Sequence, residues 1–108
     1  MSRFAQELTR LSQTIAARKD ADPASSYTAK LLAGGAPLAA KKFGEEAIET
    51  ALASVMGDRE AVAAESADLI YHWLVLLAAT GVSLDEVAAK LEARQGRSGL
   101  EEKASRKG

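Results

Sequence analysis

Five carboxylates form two clusters at helical spacing in this chain of 108 residues. The first cluster is Glu45, Glu46 and Glu49, and the second is Glu65 and Asp68. Successive residues of an α-helix are rotated by about 100°, so the members of each cluster share one face of a helix. Acidic side chains in this pattern can bind a cation or serve as general bases.

Apolar residues surround both clusters. Ile48, Leu52 and Val55 flank the first cluster, and Asp68 opens an apolar run over residues 69–77. We therefore expect the carboxylates to turn toward a core. There they would repel one another and lose hydration, which is costly unless a cation compensates them. The surroundings thus predict a cation site.

The clusters lie at mirrored distances from a predicted turn at Gly57 and Asp58. Glu49 lies eight residues before Gly57, and Glu65 lies eight residues after it. If antiparallel helices flank this turn, the clusters face each other and their oxygen atoms converge. All-oxygen ligation suits Mg²⁺ or Mn²⁺ rather than zinc or copper. The one histidine, His72, lacks the Glu-x-x-His pairing of a di-iron site, so iron is not predicted.

Basic residues are expected near such a site, because Mg²⁺ held by a few carboxylates usually binds substrate phosphates as well. Lys42 shares the arc of the first cluster, one turn earlier, while Lys30 and Arg94 are further candidates for contacting a polyphosphate. Other interpretations stay open: Lys42 pairs with Glu46, and Lys30 and Arg94 are surface charges. The first cluster alone is more typical of a solvated helix face, but the second cluster shifts the balance toward a metal site.

The elements that must position these residues are helices. Alanine and leucine abound, prolines number only two, and no run alternates with strand periodicity, which together predict an all-α fold. Caps, glycine stops and apolar periodicity predict a small bundle of about five helices, at about residues 3–18, 27–32, 37–56, 59–80 and 84–95. We predict one domain over residues 1–95 and a charged tail over residues 96–108.

Length and composition exclude several classes of protein. One domain of this size forms a modest core, so a homodimer is expected. The formal net charge of −1 gives no general basic surface for nucleic acid. The absence of cysteine excludes disulfides, thiolate zinc sites and cysteine nucleophiles. No signal core opens the chain, and the apolar stretch at 69–79 is too short for a bilayer, so we predict a cytoplasmic protein without a membrane partner.

The acidic pattern and its setting resemble a known family. Glu-Glu-x-x-Glu, fifteen residues and Glu-x-x-Asp are similar to the all-α nucleotide pyrophosphohydrolases of the MazG type. Residues 26–32, 41–49 and 65–77, with the fifth helix and residues 98–103, resemble the phosphoribosyl-ATP pyrophosphatase family over nearly the whole chain. The resemblance implies a helical bundle completed by homodimerisation. It also implies the stand-alone form, without an attached cyclohydrolase segment.

The resemblance further implies the second step of histidine biosynthesis. In this step 1-(5-phosphoribosyl)-ATP and water give 1-(5-phosphoribosyl)-AMP and pyrophosphate. By the family pattern, the leading Mg²⁺ ligands would be Glu46, Glu49, Glu65 and Asp68. Glu45 would complete a second metal position or act as the base that orients the water, so the catalytic candidates are Glu45, Glu46 and Glu49. Lysines would offset the charge of the departing pyrophosphate.

One further segment resembles the substrate side of the family. Its residues are predicted to contact the phosphoribosyl group or the phosphates, and they are Ser26, Tyr27, Thr28 and Lys30. With Lys42 and Arg94 they complete the predicted substrate-binding set. Their alternative role is helix capping and packing. Tyr71, His72 and Trp73 are predicted to pack rather than to bind a ligand.

Two other functions remain open from the sequence. The chain could be a house-cleaning nucleoside triphosphate pyrophosphohydrolase of the same superfamily, with the same acids and a different base pocket. It could also be a non-catalytic helical dimer whose acids bind a structural cation or stay solvated. Metal-dependent release of pyrophosphate distinguishes an enzyme from the non-catalytic dimer.

Overall fold

The structure is a computed structural model that describes residues 2–95. Over this range the chain forms five α-helices and no strand. The helices are α1 (Arg3–Ala17), α2 (Tyr27–Ala33), α3 (Gly35–Met56), α4 (Arg59–Thr80) and α5 (Leu84–Gln95). The predicted all-α fold is confirmed, and each helix ends within two residues of its expected bounds. The predicted tail at 96–108 lies outside the described residues, so the domain boundary stays a prediction.

Short polar side chains determine where three of the helices begin. Ser26 caps α2 and Asp58 caps α4, each by accepting a hydrogen bond from a backbone N–H at 3.1 Å. Ser83 and Glu86 form the predicted capping box before α5, with hydrogen bonds of 2.8 and 3.1 Å. The hydrogen bond that the backbone N–H of Ser83 donates to the Glu86 carboxylate is the main cause that holds the pKa of Glu86 below its usual value. The helix starts are therefore local consequences of the sequence.

The centre of the fold is a hairpin formed by α3 and α4. Gly57 ends α3 with a φ of 72°, a left-handed conformation that favours glycine, and Asp58 begins α4 directly afterwards. The two helices have 22 residues each and make the most extensive helix–helix packing in the described structure. At 1.5 Å per residue each is about 33 Å long. Residues at equal distances from the turn therefore face each other.

The hydrophobic core lies at the end of the hairpin away from the turn, where α1 and α2 pack on it. Its buried side chains come from the first four helices and are Ile15, Leu31, Ala39, Leu74 and Val75. Burial of each larger aliphatic side chain contributes about 1.5–3 kcal/mol to folding. We call this part, residues 35–47 of α3 and 67–80 of α4, the covered half of the hairpin.

The half nearest the turn exposes an apolar stripe on α3. We call residues 48–56 and 59–66 the open half. Its stripe consists of Ile48, Leu52, Val55 and Met56, with exposures of 64, 60, 83 and 81%. We expected a core beside the first acidic cluster. For the single chain this expectation is wrong, because the stripe is exposed. Periodicity identified an apolar face correctly, but the described chain supplies no element that covers it.

Helix α4 is long and apolar enough to cross a membrane by length and composition alone. It packs against α1, α2 and α3, and it carries the acidic residues Glu60, Glu65 and Asp68. We therefore interpret it as the core helix of a globular fold. Only 17% of the most apolar stretch of α4 is buried within the single chain. Apolar surface of α4 is therefore left that a partner could cover.

The stripes of α1 and α5 are covered to different degrees. On α1, Ile15 is buried and Leu8 and Leu11 pack against the core, whereas Phe4 is 61% exposed. Helix α5 has no buried residue, and Leu91 is 55% exposed. The two terminal helices thus contribute to the core mainly where they adjoin α4.

Candidate metal centre

The hairpin brings the carboxylates of Glu46, Glu49 and Glu65 together. One oxygen atom from each side chain lies within 4.8 Å of the other two. Glu46 and Glu49 are neighbours on α3, and Glu65 faces them from α4, as the mirrored spacing predicts. The three oxygens approach from two rigid helices, and their separation suits a cation with oxygen ligands at about 2.0–2.6 Å.

Asp68 and Glu45 are both exposed, and neither belongs to the group of three converging carboxylates. Asp68 follows Glu65 by one turn, and its negative charge is one cause of the raised pKa of Glu46. We call Glu46, Glu49, Glu65 and Asp68 the acidic cluster. Glu45 makes an ion pair instead: its Oε1 lies 3.5 Å from Nζ of Lys42. Lys42 therefore pairs with Glu45 rather than with Glu46, the partner that the surface interpretation of Lys42 had suggested.

The acidic cluster is electrostatically unsatisfied. Glu46 Oε2 and Glu65 Oε2 are buried and have no hydrogen-bond partner among residues 2–95. Loss of hydration, together with hydrogen bonding and repulsion from the nearby carboxylates of Glu49, Glu65 and Asp68, raises the pKa of Glu46 to about 7. Buried polar atoms normally find a partner. Near neutral pH the cluster is therefore stabilised by taking up a proton or a cation.

The predicted substrate-side segment lies on α2, which packs against α4 beyond the acidic cluster. Thr28 Oγ1 hydrogen-bonds the hydroxyl of Tyr71, and the hydroxyl of Tyr27 lies 3.5 Å from Nε2 of His72. The hydroxyl of Ser26 accepts the capping hydrogen bond of α2. The polar contacts of Tyr71 and His72 with α2 were not predicted from the sequence. No sequence pattern signals them, because the partners are 43 and 45 residues apart.

The remaining basic candidates are exposed and lie in last turns of helices. Lys30 is in the last turn of α2, close in sequence to Tyr27 and Thr28. Arg94 is in the last turn of α5. Thr80, the last residue of α4, lies about 22 Å from Glu65 along the helix, and α5 begins after it at Leu84. Within residues 2–95 no ion pair joins Arg94 to the acidic cluster, so the structure does not bring these two predicted features together.

Comparison with known proteins places this geometry in a family. The family model described as phosphoribosyl-ATP pyrophosphohydrolase matches residues 8–95, a range that contains every predicted site residue. This chain belongs to the phosphoribosyl-ATP pyrophosphohydrolase family. The predicted family and the predicted enzyme class, a hydrolase, are thereby confirmed.

Close relatives agree with this membership of the phosphoribosyl-ATP pyrophosphohydrolase family. A phosphoribosyl-ATP pyrophosphatase of Caulobacter vibrioides is 64% identical over 104 residues, which are 96% of each chain. One from Parvibaculum lavamentivorans is 59% identical over 106 residues, 98% of this chain and 97% of the relative. One from Paracoccus denitrificans is 58% identical over 100 residues, 93% of each chain. The similarity therefore extends over both halves of the hairpin.

Proposed function

We propose that this chain hydrolyses 1-(5-phosphoribosyl)-ATP to 1-(5-phosphoribosyl)-AMP and pyrophosphate, the second step of histidine biosynthesis. Family membership supports the substrate and the reaction class. The observation that carries the chemistry is the convergence of Glu46, Glu49 and Glu65 from facing helices. A triphosphate repels such a cluster unless a cation lies between them, so the acids make sense as a site for a cation and its phosphate ligand.

The ligand set supports Mg²⁺, with Mn²⁺ as the alternative. The acidic cluster offers only carboxylate oxygens, and two of these are buried without a partner. The ion would be held by Glu46, Glu49, Glu65 and Asp68. When bound, it would neutralise charge on the triphosphate and polarise the phosphoryl group under attack.

Side chains around the acidic cluster perform the other tasks of the reaction. Glu45 is exposed at the edge of the cluster and would orient the attacking water and accept its proton, or complete a second metal position. Lys42, 3.5 Å from Glu45, would offset the charge that develops on the departing pyrophosphate. On α2, Lys30 would bind the phosphates, and Tyr27 and Thr28 lie on the same short helix.

The proposal includes a cytoplasmic homodimer. Support comes from the apolar stripe of the open half, where Val55 and Met56 are more than 80% exposed. A second copy that covered this stripe would border the site, because Glu49 lies on the same helix among the stripe residues. Arg94, which does not reach the acidic cluster of its own chain, is then a candidate for acting across the interface.

The decisive experiment measures pyrophosphate release from phosphoribosyl-ATP, beside a panel of ribo- and deoxyribonucleoside triphosphates, with Mg²⁺ and with a chelator. We expect strong preference for phosphoribosyl-ATP and loss of activity in the chelator. Turnover of another triphosphate alone would move the protein to the house-cleaning branch of the superfamily. No metal-dependent release from any substrate would contradict catalysis and favour a non-catalytic dimer.

A further inference from the structure

Outside the acidic cluster, side chains of residues 2–95 that are far apart in sequence hydrogen-bond each other only where α2 meets α4. Thr28 pairs with Tyr71, and Tyr27 pairs with His72. All other side-chain hydrogen bonds in this range and outside that cluster span at most four residues. We call these four residues the α2–α4 seam. Hydrogen bonds within an otherwise apolar contact favour one position of α2 along α4. If either helix shifted, the hydrogen-bonding groups would be left unpaired.

His72 connects the seam to the acidic cluster. The residue is 7% exposed, and its Nδ1 lies 2.8 Å from the carbonyl oxygen of Asp68. A carbonyl oxygen only accepts, so Nδ1 donates to it, and Nε2 is the ring atom that faces the hydroxyl of Tyr27. The rings of Tyr27 and Tyr71 meet His72 edge-on, with centroids 6.2 and 5.0 Å away. One buried side chain thus contacts both α2 and the backbone of a predicted metal ligand.

Helix α2 depends on such contacts for its orientation. It has seven residues, too few to be stable in isolation. Ala29 and Leu31 anchor it in the core, but apolar contacts are not directional and tolerate small rotations. The exposed Lys30 lies between these two anchors. Its direction relative to the acidic cluster therefore depends on the hydrogen bonds of Tyr27 and Thr28.

We infer that Tyr71 and His72 are positioning residues that hold α2, and with it Lys30, in register with the acidic cluster. This inference rests on the proposed function, because it assigns the seam a role in substrate binding. Tyr71 acts through Thr28, and His72 acts through Tyr27. Loss of the seam should weaken capture of the triphosphate while the acids that perform the chemistry stay in place. The expected signature is a higher KM with nearly unchanged kcat.

A double-mutant cycle on the Thr28–Tyr71 pair tests the inference. Thr28→Val and Tyr71→Phe each remove one hydroxyl with little change in shape. Each should raise the KM for phosphoribosyl-ATP about fivefold and keep kcat within about twofold. The double variant should resemble the single variants, because the two hydroxyls act through each other. Multiplying effects, or an unchanged KM in both single variants, would overturn the inference.

Two further variants separate positioning from general stability. Thr28→Ser retains the hydroxyl and should restore a KM close to that of the unsubstituted chain. Ile15→Val trims a buried side chain on α1 that is not part of the seam. This variant should lower the melting temperature without raising KM. A rise in KM for Ile15→Val equal to that for Tyr71→Phe would show a merely structural effect and contradict the inference.

Amide hydrogen exchange tests the seam independently of activity. In Tyr71→Phe the backbone amides of residues 30–33 should exchange about fivefold faster, while those around Leu74 keep their rates. His72→Leu should have the same effect by a second route. Unchanged exchange in α2 for both variants would refute the inference. Absence of turnover in the unsubstituted chain would instead count against the proposed function, so the two failures are distinguishable.

Discussion

The two halves of the α3–α4 hairpin have similar apolar content but opposite exposure. In the covered half Leu74 and Val75 are at most 3% exposed, whereas in the open half Val55 and Met56 are more than 80% exposed. Helices α1 and α2 account for the difference, because they contribute Ile15 and Leu31 to the core that covers one end. The acidic cluster lies at the junction. In the proposed enzyme, folding, chemistry and assembly would therefore depend on successive stretches of one hairpin.

The largest effect is expected at the junction. Glu49→Gln removes a charge from the acidic cluster with little change in volume, so kcat/KM should fall at least about a thousandfold. Circular dichroism and the size of the protein in solution should stay the same. Glu60→Gln, on an acid in the first turn of α4, is the matched control and should keep full activity. Normal activity in Glu49→Gln would rule out the metal site at the junction.

A substitution in the covered half should affect stability most. Leu74→Ala removes a side chain that is 3% exposed, and the cavity should lower the free energy of unfolding by about 3 kcal/mol. Leu91→Ala, at a residue that is 55% exposed, should change it by less than about 0.5 kcal/mol. Urea unfolding measures both values. Equal losses in the two variants would mean that the covered half is not the stabilising core.

A substitution in the open half should mainly weaken formation of the proposed dimer. Val55→Lys places a cation near the C-terminus of α3, which the helix dipole favours, but the charge would disrupt the apolar interface of the proposed homodimer. We expect the dimer dissociation constant to rise about thirtyfold, or about 2 kcal/mol, in analytical ultracentrifugation. Leu91→Lys introduces the same charge on α5 and should leave assembly unchanged. A Val55→Lys dimer of undiminished affinity would show that the exposed stripe is not the interface.

The smallest effect is a pH dependence of stability at the junction. The pKa of Glu46 is raised from 4.5 to about 7, so the folded chain holds this proton more tightly than the unfolded chain. The resulting stabilisation is fully present below pH 4.5 and is lost as the pH rises through about 7. Glu46→Gln has no titratable carboxyl group at this position, so it does not lose stability in this way as the pH rises. Without metal, it should therefore gain about 1 kcal/mol over the unsubstituted chain between pH 5 and 8, a modest value because solvent reaches the site.

Unfolding curves at several pH values, recorded with a chelator, check this dependence. Addition of Mg²⁺ at pH 8 should stabilise the unsubstituted chain and have less effect on Glu46→Gln, since the variant lacks one carboxylate ligand. Parallel stability profiles for the two proteins between pH 5 and 8 would contradict the raised pKa of Glu46.

Local signals in the sequence predicted much of this architecture. Ser26, Asp58 and the Ser83–Glu86 capping box lie where the helices begin, because caps act within one turn. The equal distances of Glu49 and Glu65 from Gly57 predicted that they would meet, because a tight turn between straight helices leaves little freedom in register.

Other features depended on information that a single sequence does not contain. The periodicity of Ile48 and Val55 reveals an apolar face, but it does not specify whether the same chain or another covers that face. The contact between Thr28 and Tyr71 depends on how α2 docks across 43 residues of intervening chain. The exposed stripe and the α2–α4 seam therefore became visible only in three dimensions.

Because a tight turn at Gly57 joins the two helices, the number of residues between them determines whether the acidic cluster forms. Fifteen residues, 50–64, separate Glu49 from Glu65. The turn between the helices is too short to accommodate an added or a missing residue. Deletion of one residue from either helix in this stretch would rotate one carboxylate by about 100° relative to its partner. The connection at residues 18–26 does not determine how Glu49 and Glu65 face each other. Insertions and deletions should be tolerated there, whereas the hairpin tip must keep its residue count for the site to exist.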